Sequence, residues 1–173
     1  MSDVSAPQAS PATHAATRRI GVWIALLTLV SDQASKLWLL FVAEIAEKGP
    51  FQVLPFLEFV LAWNRGISYG LFQQSSDFGR WALVAVSVVA SIWLGTWMWR
   101  EKSRITVVAL ALIIGGALGN GIDRAAYGAV VDFAHVHVGS FSWYIFNIAD
   151  AAIVAGVVAL LYDSLRPGST NAL

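Results

Sequence analysis

The sequence predicts an α-helical membrane protein with four transmembrane helices and a small β element on one side of the membrane. Three observations carry this. Hydrophobic residues make up 57% of the 173 residues and charged residues only 13%, against roughly 25% charged in an ordinary soluble domain. Four apolar stretches, Ile20–Ala43, Trp81–Trp99, Ile105–Ile122 and Trp143–Leu161, are long enough to cross a bilayer, which takes about 20 residues. Shorter segments rich in β-branched and aromatic residues lie between the first two spans and again after the third, a strand signal.

The rest of the composition narrows function. The length suggests one domain. Eleven basic and eleven acidic residues cancel, so no bulk charge argues for a nucleic-acid partner. The absence of cysteine excludes disulfides, thiolate catalysis, Fe–S clusters and thiol–disulfide exchange by this chain. Three histidines leave little material for a transition-metal site.

Residues 1–17, rich in Ala, Ser, Pro and Thr, are expected to form a disordered tail. Residues 18–165 form the single membrane domain, and 166–173 a second tail. Arg18-Arg19 before the first span could open a signal peptide, but Ile20–Ala43 is too long for a signal core and no clear cleavage site follows. The first span is therefore expected to be retained.

Basic residues set the orientation. Arg18, Arg19, Arg100, Lys102, Arg104 and Arg166 fall on one side; Lys48, Arg65, Arg80 and Arg124 fall on the other. Both termini and the second-to-third-span loop are thus expected to be cytoplasmic. The outer region, about 44–77, contains Phe51–Trp63, interrupted by Pro55 and too short to span. It reads as a small sheet or interfacial platform. Val130–Val138, within the second outer segment at about 127–140, is the strand that could pair with it. Trp63, Tyr69, Trp81, Tyr127, Trp143 and Tyr144 fall near the outer interface, where amphipathic rings are favoured.

Polar groups inside a membrane are costly and usually functional, so their depth is informative. At about 1.5 Å per residue, Asp32 lies roughly 18 Å and Lys36 roughly 24 Å up the first span, Asn120 roughly 22 Å up the third, and Asp150 roughly 10 Å down the fourth from its outer end. Asp123, Arg124 and Asp132 follow the third span; Asn64 and Arg65 also lie outside. Nearly every unusual polar group thus gathers in the outer half.

Asp32 and Lys36 stand four apart with the acid N-terminal, the favourable order for an ion pair. They could be a neutralised pair that lets the span insert, a site pair, or both. Gly115 and Gly119 form a G-x-x-x-G that lets helices approach closely. Gly116, Asn120 and Arg124 share a helix face. The Asn120 amide can hold a carboxylate or a peptide backbone. Arg124 reads as a snorkelling residue contacting lipid phosphate or as a brace for fold or substrate, and Asp123 as structural, capping or pairing. His135 and His137 share one strand face, but no further metal ligand is evident, and interfacial histidines are the simpler reading.

Asp132 and Asp150 are the candidate catalytic pair, with Asn147 expected one helical turn before Asp150. Two carboxylates brought together cannot both ionise cheaply and share a proton. One then activates water as general base while the other polarises the scissile carbonyl and protonates the leaving amine as general acid. No H-E-x-x-H or G-x-S-x-G motif competes. From spacing alone the same acids could be a proton relay.

Five segments together resemble the lipoprotein signal peptidase (signal peptidase II) family of bacterial intramembrane aspartyl proteases. They are Asp32-Gln33-Ala34-Ser35-Lys36, Asn64-Arg65-Gly66-Ile67-Ser68-Tyr69-Gly70, Gly115 to Arg124, Val131-Asp132-Phe133 and Phe146-Asn147-Ile148-Ala149-Asp150, in order over residues 20–163. Ser68-Tyr69 stands where the family more often has Ala-Phe. The resemblance implies four transmembrane helices, a small extracytoplasmic β-cradle and a catalytic dyad at Asp132 and Asp150. It implies supporting site residues at Asp32, Lys36, Asn64, Gly116, Asn120, Arg124, Asn147 and Ala149. It further implies a bacterial inner-membrane enzyme that cleaves diacylglyceryl-modified prolipoproteins before the lipidated Cys, without metal or organic cofactor, and is blocked by globomycin. Membrane lipids are its surroundings, and a monomer suffices.

Two other classes compete. A proton-coupled transporter or channel would use Asp32, Asp132 and Asp150 as a relay, but needs a polar path through the cytoplasmic halves, where the spans carry none. A non-enzymatic scaffold packed through its glycines leaves Asp132, Asp150 and Asn147 without a role.

Overall fold

The computed structural model describes residues 11–66 and 77–166. Its elements are α1 (Pro11–Leu37), continued by a π-helical turn at Trp38–Val42, then α2 (Ile45–Lys48), β1 (Phe51–Leu54), β2 (Leu57–Asn64), α3 (Asp77–Arg100), α4 (Arg104–Tyr127), β3 (Val130–Val138), β4 (Phe141–Ser142) and α5 (Ile148–Leu165). Four helical segments, His14–Val42, Asp77–Arg100, Arg104–Tyr127 and Ile148–Leu165, are long and apolar enough to cross a membrane. Helix α4 is central: α1, α3 and α5 each pack against it. Leu110, Val107 and Ala111 of α4 are fully buried, while α3 buries only Gly79, Ser91, Leu94 and Met98 and turns its apolar side chains outward, as a lipid-facing helix does.

Small residues set how closely these helices meet. A Cβ on Gly115 would lie 2.6 Å from the Ala25 carbonyl of α1, and one on Gly116 2.5 Å from the Ala149 carbonyl of α5. The glycine run therefore serves two seams, one on each side of α4.

The expected platform is a four-stranded antiparallel sheet in the order β1-β2-β3-β4. Strand β3 pairs with β2 from Leu57↔Val136 to Asn64↔Val130, with an irregularity between Phe59 and Ala62. Phe133 and Ala134 of β3 cluster with Leu39 of the π-helical turn and Ile45 of α2, and the Phe59 and Phe133 rings meet edge-on at 5.4 Å.

Helix ends depart from the sequence reading in three places. Helix begins at Pro11, where a disordered tail was expected through residue 17; residues 1–10, like Tyr69 and Ser68, lie outside the described residues. Helix α4 continues through Asp123 and Arg124 to Tyr127 and ends at Gly128, whose φ of 77° is left-handed. Asp123 tolerates this position because it is ion-paired inside the bundle. The last helix begins at Ile148, not Trp143, because Asn147 and Asp150 form a reciprocal capping box and Phe146 is held in extended form by backbone bonds to Phe133 and Ala134. At the opposite end Ser103 and Thr106 both donate to Asp163 Oδ2, at 2.6 and 2.5 Å, tying the start of α4 to the end of α5.

Candidate active site

The site is built where α4, the sheet and the start of α5 converge. Asn147 is the N-cap of α5, with extended backbone (φ −128°), and its Oδ1 accepts from the Asp150 amide at 2.9 Å. This corrects its expected place on a helix face. It also places Asp150 in the first helical turn, rather than roughly 10 Å into the span. A cap oxygen must accept, so the amide nitrogen of Asn147 points the other way. That nitrogen donates to Asp132 Oδ1 at 2.6 Å and to Asn120 Oδ1 at 3.1 Å.

Asn120 is oriented in the same manner. Its Oδ1 also accepts from Lys36 Nζ at 3.2 Å, and its Nδ2 donates to Asp150 Oδ1 at 2.9 Å. The two amides thus form a bridge with one candidate acid at each end. The second oxygen of Asp132 accepts from Asn64 Nδ2 at 3.0 Å. Asn64 is fixed in turn by the Gly66 amide, which donates to its Oδ1 at 3.0 Å.

Beneath the bridge lies a buried ionic cluster. Lys36 Nζ sits 2.7 Å from both Asp32 Oδ2 and Asp123 Oδ2, with all three residues 1% exposed or less. The Ala149 amide donates to Asp32 Oδ1 at 2.9 Å, so this expected site residue reaches the cluster through its backbone. Asp123 Oδ2 accepts from the Val131 amide at 3.1 Å, so the cluster also holds the strand that carries Asp132. Lys36 is committed to protein partners, which favours the reading of a neutralised, structural pair. Arg124 donates to the Asn120 carbonyl at 3.2 Å and the Gly66 carbonyl at 2.9 Å, acting as a brace.

Asp132, in β3 outside the spans, is only 4% exposed. Burial, and then the neighbouring Asp150 carboxylate, push its pKa up to about 7, against the lowering donors Asn64 and Asn147. Asp132 is therefore poised to hold or release a proton near neutrality. A cleft of about 250 Å³ opens beside Asp150, lined also by Asn64, Ser87, Ala90, Ala117, Asn120, Arg124, Val130 and Ile153 among others. It lies between α3 and α5 with α4 as its floor. Polar groups ring one end and apolar side chains the other, which suits an extended peptide entering from an apolar helix.

All ten sequence-derived site residues therefore fall in one connected region. Two partners were not singled out as site residues. Gln33 donates to the Gly119 carbonyl at 3.2 Å and to Asp123 Oδ1 at 2.9 Å; its place between Asp32 and Lys36 was the available signal. Asp123 was read as structural, but its partner Lys36 is 87 residues away and not legible from spacing. His135 is held between Glu58 and Ser142, both at 2.6 Å, and links three strands.

Comparison with known proteins places the chain in a family. Residues 24–166 match the family model described as signal peptidase (SPase) II. The chain is 62% identical over 149 residues to a lipoprotein signal peptidase of Methylorubrum extorquens, covering 86% of this chain and 87% of that one. It is 58% identical, with the same coverage, to a lipoprotein signal peptidase of Methylobacterium radiotolerans. A bacterial membrane enzyme solved by the in meso method at 2.3 Å resolution superposes with a TM-score of 0.71 at 26% identity, covering 90% of this chain and 95% of that chain. With its spans, its sheet and its paired acids already placed, the chain belongs to the lipoprotein signal peptidase family of bacterial membrane proteases, which remove signal peptides from prolipoproteins.

Proposed function

We propose that this chain is an aspartyl endopeptidase that cleaves diacylglyceryl-modified prolipoproteins on the N-terminal side of the lipidated Cys, with Asp132 and Asp150 as its catalytic residues. The observation that carries this is the amide bridge: Asn147 donates to Asp132 and Asn120 donates to Asp150, so both acids are oriented from one scaffold beside a cleft. Of two facing carboxylates, one keeps a proton. The ionised one takes a proton from water as it attacks the scissile carbonyl. The protonated one donates toward the developing oxyanion and then delivers its proton to the leaving nitrogen. The bond broken is the peptide C–N, water supplies the hydroxyl to the acyl side, and the dyad ends with the proton it started with. This leaves no step for a metal or cofactor.

Substrate placement follows from the same cleft. The signal helix lies along the apolar stretch between α3 and α5, and the diacylglyceryl chains remain in lipid beside the sheet. Asn64 and Arg124, at the polar end, order the extended peptide. The arginine-bearing ends of the helices face the cytoplasm, which puts the acids near the outer leaflet. Residues 18–165 act as one membrane domain.

The test is a gel-shift assay with purified full-length protein and a diacylglyceryl-modified prolipoprotein. Cleavage before the modified Cys, lost in Asp132→Asn and in Asp150→Asn and blocked by globomycin, is the expected result. Normal processing by either variant would overturn the dyad.

A further inference from the structure

The bundle carries a second and larger groove that the proteolytic reading does not use. Helices α1 and α3 both pack on α4 but meet each other over little of their length. The space between them is a groove of about 620 Å³ whose apolar wall includes Val22, Leu26, Ile92 and Met98. It runs into a second hollow of about 450 Å³ that shares Val22, Leu26 and Trp99 and reaches Arg18 and Arg19. Arg100 lines the first hollow. Three arginines therefore line these connected hollows, and the Arg18 guanidinium lies among them.

Among the described residues these charges have no acidic partner: none of the ion pairs involves Arg18, Arg19 or Arg100. Arg18 Nε is buried with no hydrogen-bond partner, and its guanidinium lies 5.9 Å over the Trp99 ring. The nearby acid, Glu101, is engaged elsewhere: one oxygen accepts from the Lys102 and Ser103 amides and the other from Trp97 Nε1.

We propose that this groove binds one anionic phospholipid, its phosphate at Arg18, Arg19 and Arg100 and an acyl chain along Val22, Leu26 and Ile92. Charge complementarity selects the occupant. Guanidinium forks match phosphate oxygens, and an acyl chain is the apolar rod available at that depth. A signal peptide is the competing helix-sized occupant, on the reading that the chain processes one. Its leading region is positively charged and is repelled by these arginines, whereas the acid-site cleft on the other side of α3 carries no such cluster. The inference does not depend on which way the protein faces.

The full chain in nanodiscs is exposed to phosphatidylglycerol or phosphatidylcholine bearing a photoactivatable diazirine in the acyl chain, and crosslinked residues are mapped by mass spectrometry. Phosphatidylglycerol should label Val22, Leu26 or Ile92 about fivefold more than phosphatidylcholine, the ratio expected when a single arginine gains one anionic headgroup. The preference should vanish in the combined variant Arg18→Gln, Arg19→Gln, Arg100→Gln, and inorganic phosphate should not compete. Equal labelling by the two lipids overturns the proposal, as does a preference unchanged in a folded triple variant. Displacement by inorganic phosphate overturns it in favour of a free-anion site. If the triple variant does not fold, the wild-type headgroup ratio decides alone. The readout does not involve proteolysis, so failure of the dyad and failure of the lipid site are distinguishable.

Discussion

Lys36 donates to Asn120 Oδ1 across 3.2 Å, and this contact sets the orientation of the acid site. An ammonium can only donate, so the Asn120 oxygen turns toward it and the amide nitrogen turns toward Asp150. A buried cation in α1 thereby fixes a hydrogen bond in the space between α4 and α5.

Replacement of Lys36 is accordingly expected to damage fold and site together. Lys36→Met leaves Asp32 and Asp123 buried without their shared cation, a loss of about 3–5 kcal/mol when one member of a buried ionic cluster is removed. A marked drop in melting temperature in detergent is the expected result. An unchanged melting temperature would show that the cluster contributes nothing to the fold.

Asn147 has two separable duties. Serine is also a good N-cap, but it lacks the amide nitrogen that reaches Asp132. Asn147→Ser should therefore melt close to wild type while its cleavage rate falls at least about tenfold, the loss expected for a hydrogen bond to a charged group. Equal falls in both would mean that capping is its whole role.

The pH dependence follows from Asp132. Its carboxyl stands at about 7 in the folded protein against an ordinary value of 3.8, so the folded state holds this proton more tightly than the unfolded chain. Its contribution to stability is full below 3.8 and is lost as pH rises through about 7. Cleavage needs the shared proton and should fall on the alkaline side of the same range. Asn64 lowers this value by donating to the carboxylate, so Asn64→Ala should move the alkaline limb of the pH–rate profile upward. A limb that stays in place or moves down contradicts the assignment.

The α4–α5 seam gives a steric prediction. A methyl group on Gly116 meets the Ala149 carbonyl at 2.5 Å and Ile153 Cγ1 at 2.8 Å. A backbone carbonyl cannot swing aside, so Gly116→Ala should cost about 1–3 kcal/mol, as overpacking does, and should slow cleavage by displacing Asp150. Gly95→Ala, where nothing lies within 4 Å, is the control and should melt like wild type. Matching melting temperatures for the two variants would refute the tight seam.

Much of this architecture is legible in the sequence because membrane spans announce themselves by length and hydropathy, and because intramembrane polar residues are few enough to be weighed singly. Asp132 and Asp150 could be paired on that basis. What could not be read was governed by local backbone geometry and by contacts distant in sequence. Hydropathy carries Trp143–Phe146 into the last span, yet the Asn147 cap and the bond between Phe146 and Ala134 hold that segment at the sheet. The helical state of Asp123 and Arg124 depended on Lys36, a partner from another helix. Ala149 illustrates the same limit, since a backbone amide leaves no mark in residue type.

The double use of Asn147 bears on how the enzyme comes into being. Synthesis runs from the amino terminus, so α5 enters the membrane after α1, α3 and α4. Until it docks, Asp150 is absent, Asp132 lacks its closest donor and Asn120 has nothing to orient. The event that starts the final helix is also the event that aligns the acids. A chain in which α5 has not docked therefore lacks the amide bridge that joins Asp132 to Asp150.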